Sequence, residues 1–441
     1  MLERQPFCIE VQIDCHPKII FKNMKEFVIK TVDRESVTPS VEERSYQKLM
    51  LQKSFNDFFL HVGFTKLPAV SILSADIDST VDFVGSSTNL FKDYLINRPN
   101  RPKKDIPNHG LFLYQPKLRA QNGNAFYSTQ PIDLLTYFVG GGILVPRNSY
   151  RQICNTTTEF LFSLGLNAND LAVKIFSGHP ELSRFWIQEN PYGLAYKLTA
   201  ENEDEYLWDY GEPGLTGKGI IFAIKSRVDN QLKDFSTLTI INHFGEEIGI
   251  EWGFGSEVLL SSFYNLPHPI SYSTISEINP GLLDRQETIK LADTLTAVVS
   301  MLDAGVSYQK KDHTRGSNVL IKYMKGLSYH LRETGTPMGK LKEWLSFLIL
   351  KDFNNNPKTS EMVINYIKKN QEAETRFAEA IIKAVSGNYL PLESFEGVKR
   401  LRRENQKIDV INLATKYYDH FENSKLFKSL KNNLFEGRYI V

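Results

Sequence analysis

Three separated stretches of this chain collect side chains able to hold a small charged ligand. The central one, residues 249–258, reads Gly-Ile-Glu-Trp-Gly-Phe-Gly-Ser-Glu-Val. An alternating segment, residues 238–242, precedes it, and an apolar run, residues 259–264, follows it. A strand, a Gly-x-Gly and a helix start describe a backbone that can approach a ligand closely at a helix N-terminus, although the same pattern also builds plain tight turns. Residues 114–142 and 206–222 would complete a site around it. Arg119 carries a planar fork that can hold two oxygens of a carboxylate or phosphate. Lys92 and Lys117 would add positive charge, and each equally suits a solvated surface lysine. Glu251 offers a fixed carboxylate for a cationic group. Trp208 can form an apolar wall, with an indole N–H that needs a partner if buried. The glycine-rich Gly214-Leu-Thr-Gly-Lys-Gly219 lacks the four-residue gap between glycines and the Ser/Thr after lysine, so it is not a P-loop.

These residues need a scaffold, and the chain is long enough for two or three domains with full cores. It has 441 residues, 41% of them hydrophobic and 23% charged, an ordinary globular composition. A formal net charge of +1 sets up no global field for nucleic acid, so RNA would need a local basic surface and DNA is not expected as a partner. Cys8, Cys15 and Cys154 are too few and too scattered for a disulfide framework, which suits a reducing compartment. The start has no apolar signal core and no run approaches ~18 apolar residues, so the expectation is a soluble cytoplasmic protein without membrane contact.

Periodicity divides the chain. Residues 7–13 alternate like a strand, and Thr38-Pro-Ser-Val is a turn and cap. Leu49, Leu51, Phe55, Phe58, Phe59 and Val62 share a helical face within 41–62, and Gly63 is placed to end that helix. Strands are expected over 67–73, 111–114, 134–139 (running into the glycines 140–142), 171–176, 220–224 and 238–242. A helix is expected over 149–164, and loops over 97–109 and 121–130. After Pro280-Gly281 the pattern becomes helical, over 319–331, 340–350, 359–370, 372–385 and 410–421, with Leu291, Leu295, Val298 and Leu302 on one face. The expected division is an N-terminal extension (1–40), an antiparallel α/β domain (41–275) and an all-helical domain (276–441).

Several of these stretches, in order, resemble alanyl-tRNA synthetase. Asn56-Asp-Phe-Phe-Leu-His-Val-Gly63 is similar to the end of that family's first helix, and Asn89-Leu-Phe-Lys92 to its Asn-Gln-Phe-Lys. Gln115-Pro-Lys-Leu-Arg119 resembles the strand that delivers the motif 2 arginine. Tyr206-Leu-Trp-Asp-Tyr-Gly-Glu-Pro-Gly-Leu-Thr-Gly217 resembles the segment lining the amino-acid pocket, and Glu251-Trp-Gly-Phe-Gly-Ser-Glu257 resembles motif 3. Residues 291–306 and 315–320 resemble the start of the family's helical tRNA-recognition domain. The resemblance covers roughly residues 45–440. It implies a class II synthetase fold, an antiparallel sheet flanked by helices and followed by a helical bundle. It also implies ATP-dependent activation of a small amino acid, with Mg, and acyl transfer to tRNA. In that reading Arg119, Lys92 and Lys117 hold the ATP phosphates, and Arg119 also takes the substrate carboxylate. Trp208, Asn242, Glu251, Gly253 and Gly255 form the amino-acid pocket, with Glu251 facing the ammonium in place of the family's aspartate.

The departures bear on activity. Motif 3 should end in arginine, and Val258 stands there; loss of one well-placed cationic donor commonly costs ~10²–10³ in rate. Tyr137 occupies the place of the motif 2 glutamate, and Ile132 and Asp133 those of two histidines. Lys225 and Arg227 are the candidate replacement cations. The family's acceptor-stem readers align with Asp312 and Arg402, so the alanine tRNA signal is not expected to be read in the usual way, although the basic run 398–403 could hold phosphates. The chain has no His-x-x-x-His pair and ends where the editing domain would begin, so neither editing nor zinc is expected. Two other functions compete with synthetase activity: a ligase or aminoacyl transferase for a small molecule or carrier protein, and a non-catalytic synthetase-like binding protein. Oligomeric state is left open.

Overall fold

The computed structural model describes residues 39–386, apart from 74–77, 127–129, 227, 280, 282–284, 310–314 and 355; over 374–386 it describes the helix but not the side chains. The expectations for residues 7–13, 398–403 and 410–421, and for Arg227, Asp312 and Arg402, lie outside the described residues.

Helix α1 (Val41–His61) opens on a capping box. The Ser40 hydroxyl accepts from the Glu43 N–H, and the Glu43 carboxylate accepts from the Ser40 N–H at 2.6 Å. Gly63 follows with φ +88°, the left-handed turn that its missing Cβ permits. Leu51, Phe55, Phe58 and Phe59 are buried as the spacing predicts, whereas Leu49 is exposed. Phe55 is the hub of an aromatic cluster, with ring centroids 4.6 Å from Phe59 and 5.4 Å from both Phe160 and Phe254.

The sheet runs β1 (Thr65–Lys66), β2 (Leu111–Leu118), β3 (Tyr137–Val145), β9 (Glu246–Phe254), β8 (Leu232–His243), β7 (Leu215–Lys225), β4 (Leu171–Phe176), β5 (Ala195–Thr199), with the short β6 (Leu207–Asp209) paired to β7. It is antiparallel except at its two ends, where β1 pairs with β2 and β4 with β5 in parallel. Helices flank it, and a helical region follows it, as the fold-class expectation has it.

Period-two alternation gives the sheet two different faces. Phe112, Tyr114, Ile143, Ile250, Trp252, Phe254, Leu238 and Phe222 point into the aromatic core under α1, α3 (Tyr150–Ser163) and α4 (Ser256–Phe263). On the other face, α2 (Thr88–Leu95) packs Leu90, Phe91 and Leu95 on Leu111, Leu113, Leu144, Leu215 and Ile241. This second helix covers only part of its face. The uncovered part lies beyond the N-terminus of α2.

Local expectations differ from the structure in four places, each with a physical reason. The strand expected at 67–73 does not form: β1 ends before it, at Lys66, and the span keeps a single bridge between Leu73 and Phe83. Pro68 has no N–H for a ladder, and the Val70 N–H is taken by the Gln115 side chain at 3.1 Å. The glycines 140–142 lie inside β3 rather than after it. A Cβ at Gly140 would sit 2.0 Å from the Phe254 carbonyl oxygen, and one at Gly142 would sit 2.0 Å from Ser87 Oγ. The strand expected at 220–224 begins earlier, at Leu215, and takes in most of the glycine-rich segment: a Cβ at Gly217 would meet Thr239 Cγ2 at 2.5 Å and the Tyr210 hydroxyl at 2.8 Å. Finally, the two helices expected over 359–385 are one, Pro357–Ser386, because no Gly or Pro interrupts it.

Helices α5 (Gln286–Asp303), α6 (Ser317–Thr334), α7 (Met338–Asp352) and α8 (Pro357–Ser386) build the helical region. Its core is shared with the sheet: Leu118, Phe126, Ile132, Leu135 and Phe138 pack with Leu291, Leu295, Tyr323 and Leu327. Among the described residues no helix is long and apolar enough to cross a membrane.

Candidate functional site

The uncovered part of the sheet face forms a cavity of about 260 Å³. Each wall follows from strand periodicity. Lys117 and Arg119 are alternate residues at the end of β2. Thr237 and Thr239 alternate on β8, and Glu251, Gly253 and Gly255 alternate along and just past β9. Trp208 and Tyr210 come from β6 and the residue after it, Phe138 from β3, Val258 from the first turn of α4, and Ser86–Thr88 from the start of α2. The guanidinium at 119, the indole at 208 and the carboxylate at 251 therefore line one space.

Glu251 lies at its buried end and accepts from the Thr88 hydroxyl. Burial pushes its carboxyl above the usual range, while Thr88, Lys117 and Arg119 pull it back. Lys117 donates to Ser87 Oγ at 2.8 Å and to the Gly141 carbonyl at 3.3 Å. Burial lowers its amine to about 7, with Glu251 opposing the drop and Arg119 adding to it. The amine is thus near the midpoint of its titration at neutral pH. Arg119 is open to the cavity although protein surrounds it. Its Nε donates to the Gly85 carbonyl at 2.7 Å, and its guanidinium carbon lies 5.3 Å from the centre of the Phe138 ring. Tyr210 closes the space beside Glu251, its hydroxyl bonded to the hydroxyls of Thr239 and Thr88. Burial, and then the Glu251 charge, holds that phenol neutral.

The floor is smooth because it is glycine. A Cβ at Gly253 would make only ordinary contacts, 3.7 Å from Ser87 Oγ and 3.9 Å from Glu251 Oε1, so a side chain there would project into the free space.

Two expected members lie elsewhere. Lys92 is fully buried behind the loop that starts α2, paired with Asp78 at 2.8 Å and donating to Thr80 Oγ1 at 2.7 Å. Burial alone would raise the Asp78 carboxyl, but Lys92, Thr80 and Asn89 hold it below its ordinary value. Asn89 in turn accepts from the Gly85 and Ser86 N–H groups, both at 3.0 Å, so this buried pair shapes the cavity edge without reaching it. Asn242 lies outside the lining, with its amide toward the Ile240 carbonyl at 3.4 Å. Odd numbers of positions separate it from Thr237 and Thr239, so strand alternation places it on the opposite face of β8. Lys225 is exposed and does not line the cavity, so among the described residues the lining cations are Lys117 and Arg119. Thr88, Phe138, Thr239 and Tyr210 are lining residues that sequence reasoning did not single out. For Tyr210 a signal existed: it lies two residues after Trp208 on an extended segment, and so on the same face.

No family model matches the chain, and no curated protein matches it by sequence. Among solved structures it is similar to apo histidyl-tRNA synthetase of S. aureus, at 10% identity and a TM-score of 0.34, over 56% of this chain and 76% of that one. It is similar to asparaginyl-tRNA synthetase of Entamoeba histolytica at 8% identity and a TM-score of 0.32, over 53% and 66%. It is also similar to aspartyl-tRNA synthetase of the same organism at 13% identity and a TM-score of 0.28, over 58% and 66%.

Proposed function

We propose that the cavity binds a small α-amino acid as its zwitterion, in a class II synthetase-like protein that activates it with ATP and passes the acyl group to tRNA or another acceptor. One observation carries the reading: a buried carboxylate and two cations, from strands far apart in sequence, face the same largely apolar space. Glu251 takes the ammonium. Arg119, with Lys117, takes the carboxylate. Trp208, Tyr210 and Phe138 exclude water, which strengthens both contacts. The motif resemblance assigns the same ends to the same residues.

The donor set fits one anionic group well and a nucleotide only in part. Arg119 and Lys117 suit the α-phosphate, next to which the substrate carboxylate would lie. Of the lining carboxylates, Glu251 is tied to Thr88, and Asp234 to Lys174 at 2.7 Å. Among the described residues no group of three or more His, Cys, Asp or Glu side chains is placed to hold a metal. No step is therefore assigned to Mg. Val258 lines the cavity where the family has its motif 3 arginine. That residue favours a second reading, in which the protein holds an amino acid or aminoacyl group without ATP activation, as a transferase or a binding protein.

Amino-acid-dependent ATP–pyrophosphate exchange, run across the standard amino acids with and without bulk tRNA, separates these readings. Exchange supports activation. Acyl transfer from charged tRNA without exchange supports a transferase. Binding of an amino acid with neither reaction supports a binding protein. No amino acid binding at all, by calorimetry at millimolar concentration, defeats the proposal.

A further inference from the structure

A chain of hydrogen bonds runs from the helical region to Arg119. Asp293, buried on α5, accepts from the Thr136 N–H at 2.7 Å, from the Thr136 hydroxyl at 2.7 Å and from the Asn122 amide at 3.0 Å. With its own proton committed to Asp293, the Thr136 hydroxyl accepts from Tyr323 of α6 at 3.1 Å, and Tyr323 accepts from the Gly123 N–H at 3.2 Å. The Thr136 carbonyl accepts the Arg119 N–H at 2.8 Å. Asn122 also donates to the Leu134 carbonyl at 2.7 Å, which clamps the two ends of the β2–β3 connection together. Two of the three hydrogen bonds to Asp293 come from Thr136, the residue before β3 whose carbonyl takes the Arg119 N–H.

We propose that Asp293 is a positioning residue: from the helical region it holds Thr136, and through Thr136 it sets the direction in which Arg119 enters the cavity. On the same helix Leu291, Leu295 and Val298 pack in the core, and Lys290 donates to the Ala125 carbonyl of the β2–β3 connection at 2.9 Å, whereas Asp293 holds Thr136 itself. The helical region is therefore part of the cavity's construction and not only a neighbour. This goes beyond the amino-acid reading and does not depend on it.

The test reads Arg119 directly. Phenylglyoxal labelling of the full-length protein is followed by mass spectrometry on the peptide containing Arg119, in wild type, Asp293→Ala, Asp293→Asn and Leu295→Ala. Leu295→Ala empties the same core and controls for lost stability. In Asp293→Ala the Arg119 labelling rate should exceed that of Leu295→Ala roughly threefold or more, the scale of losing one net hydrogen bond. Asp293→Asn, which keeps one acceptor for the Thr136 N–H, should fall between Asp293→Ala and wild type. If Asp293→Ala does not fold, the comparison is made with Asp293→Asn, which must still exceed Leu295→Ala. A labelling rate no greater than in Leu295→Ala, in whichever Asp293 variant is read, makes Asp293 a structural residue only and overturns the proposal.

Discussion

Replacing Glu251 by Gln removes one charge from the cavity and almost no volume, and its consequences can be worked out group by group. The carbonyl of the new side-chain amide can still accept from Thr88, so the start of α2 should stay docked. A ligand ammonium loses a charged acceptor in a dry site, worth about 1.5–3 kcal/mol for a charge-assisted hydrogen bond. Because about 1.4 kcal/mol is tenfold in affinity, the dissociation constant for the preferred amino acid should rise by roughly 10- to 150-fold. The same change acts on Lys117, whose amine lies at about 7 and is held up chiefly by Glu251. Without that carboxylate the amine falls below 7 and is neutral at pH 7.5. Two buried cations would otherwise face each other, and loss of one partner of a buried pair costs about 3–5 kcal/mol. Deprotonation of Lys117 avoids most of that cost, so stability should fall far less. The assay is calorimetry with a panel of small amino acids, alongside chemical denaturation of both proteins. An affinity that stays within a factor of about two, in a protein that is still folded, would show that Glu251 does not meet the ammonium.

Lys117 gives the protein a pH signature. Its amine lies near 7 in the folded chain against 10.5 ordinarily, so between those values the unfolded chain binds the extra proton and stability should rise with pH. Denaturation midpoints measured from pH 7 to 10 should show that rise, and Lys117→Met should flatten it; an equal slope in both proteins contradicts the assignment. Anion binding favours the charged amine, so amino-acid binding at pH 8 should take up protons, seen as calorimetric heats that depend on the buffer. Gly253→Val fills the cavity from its floor, its Cβ only in ordinary contact with the Gly141 carbonyl oxygen at 3.7 Å, so ligand binding should be lost while the melting temperature moves by only a few degrees. A Gly253→Val protein that binds normally would place the ligand elsewhere. Phe55→Ala empties the centre of the aromatic core and should cost about 3–5 kcal/mol by denaturation, with the pH signature of Lys117 retained.

Some of this architecture is written locally in the chain. The Ser40 cap, the spaced phenylalanines of α1 and Gly63 define a helix without help from the rest of the fold. The alternation through residues 249–254 followed by Gly255 and an apolar run defines β9 and α4, and period two alone places Glu251, Gly253 and Gly255 on one face. Lys92 and Lys117 look alike as letters, however, and only packing separates them. Lys92 was drawn into a buried pair with Asp78, while Lys117 was left facing Glu251 across the cavity. Thr88 meets Glu251 across 163 residues of chain, a partnership no local periodicity can encode. The glycines of β3 read as a strand's end because their reason, the Phe254 carbonyl and the Ser87 hydroxyl pressed against them, belongs to other elements. Local patterns determine which residues share a face, since backbone geometry repeats every two or 3.6 residues. Which face becomes a cavity, and which charge it keeps, is decided by the elements that do or do not cover it.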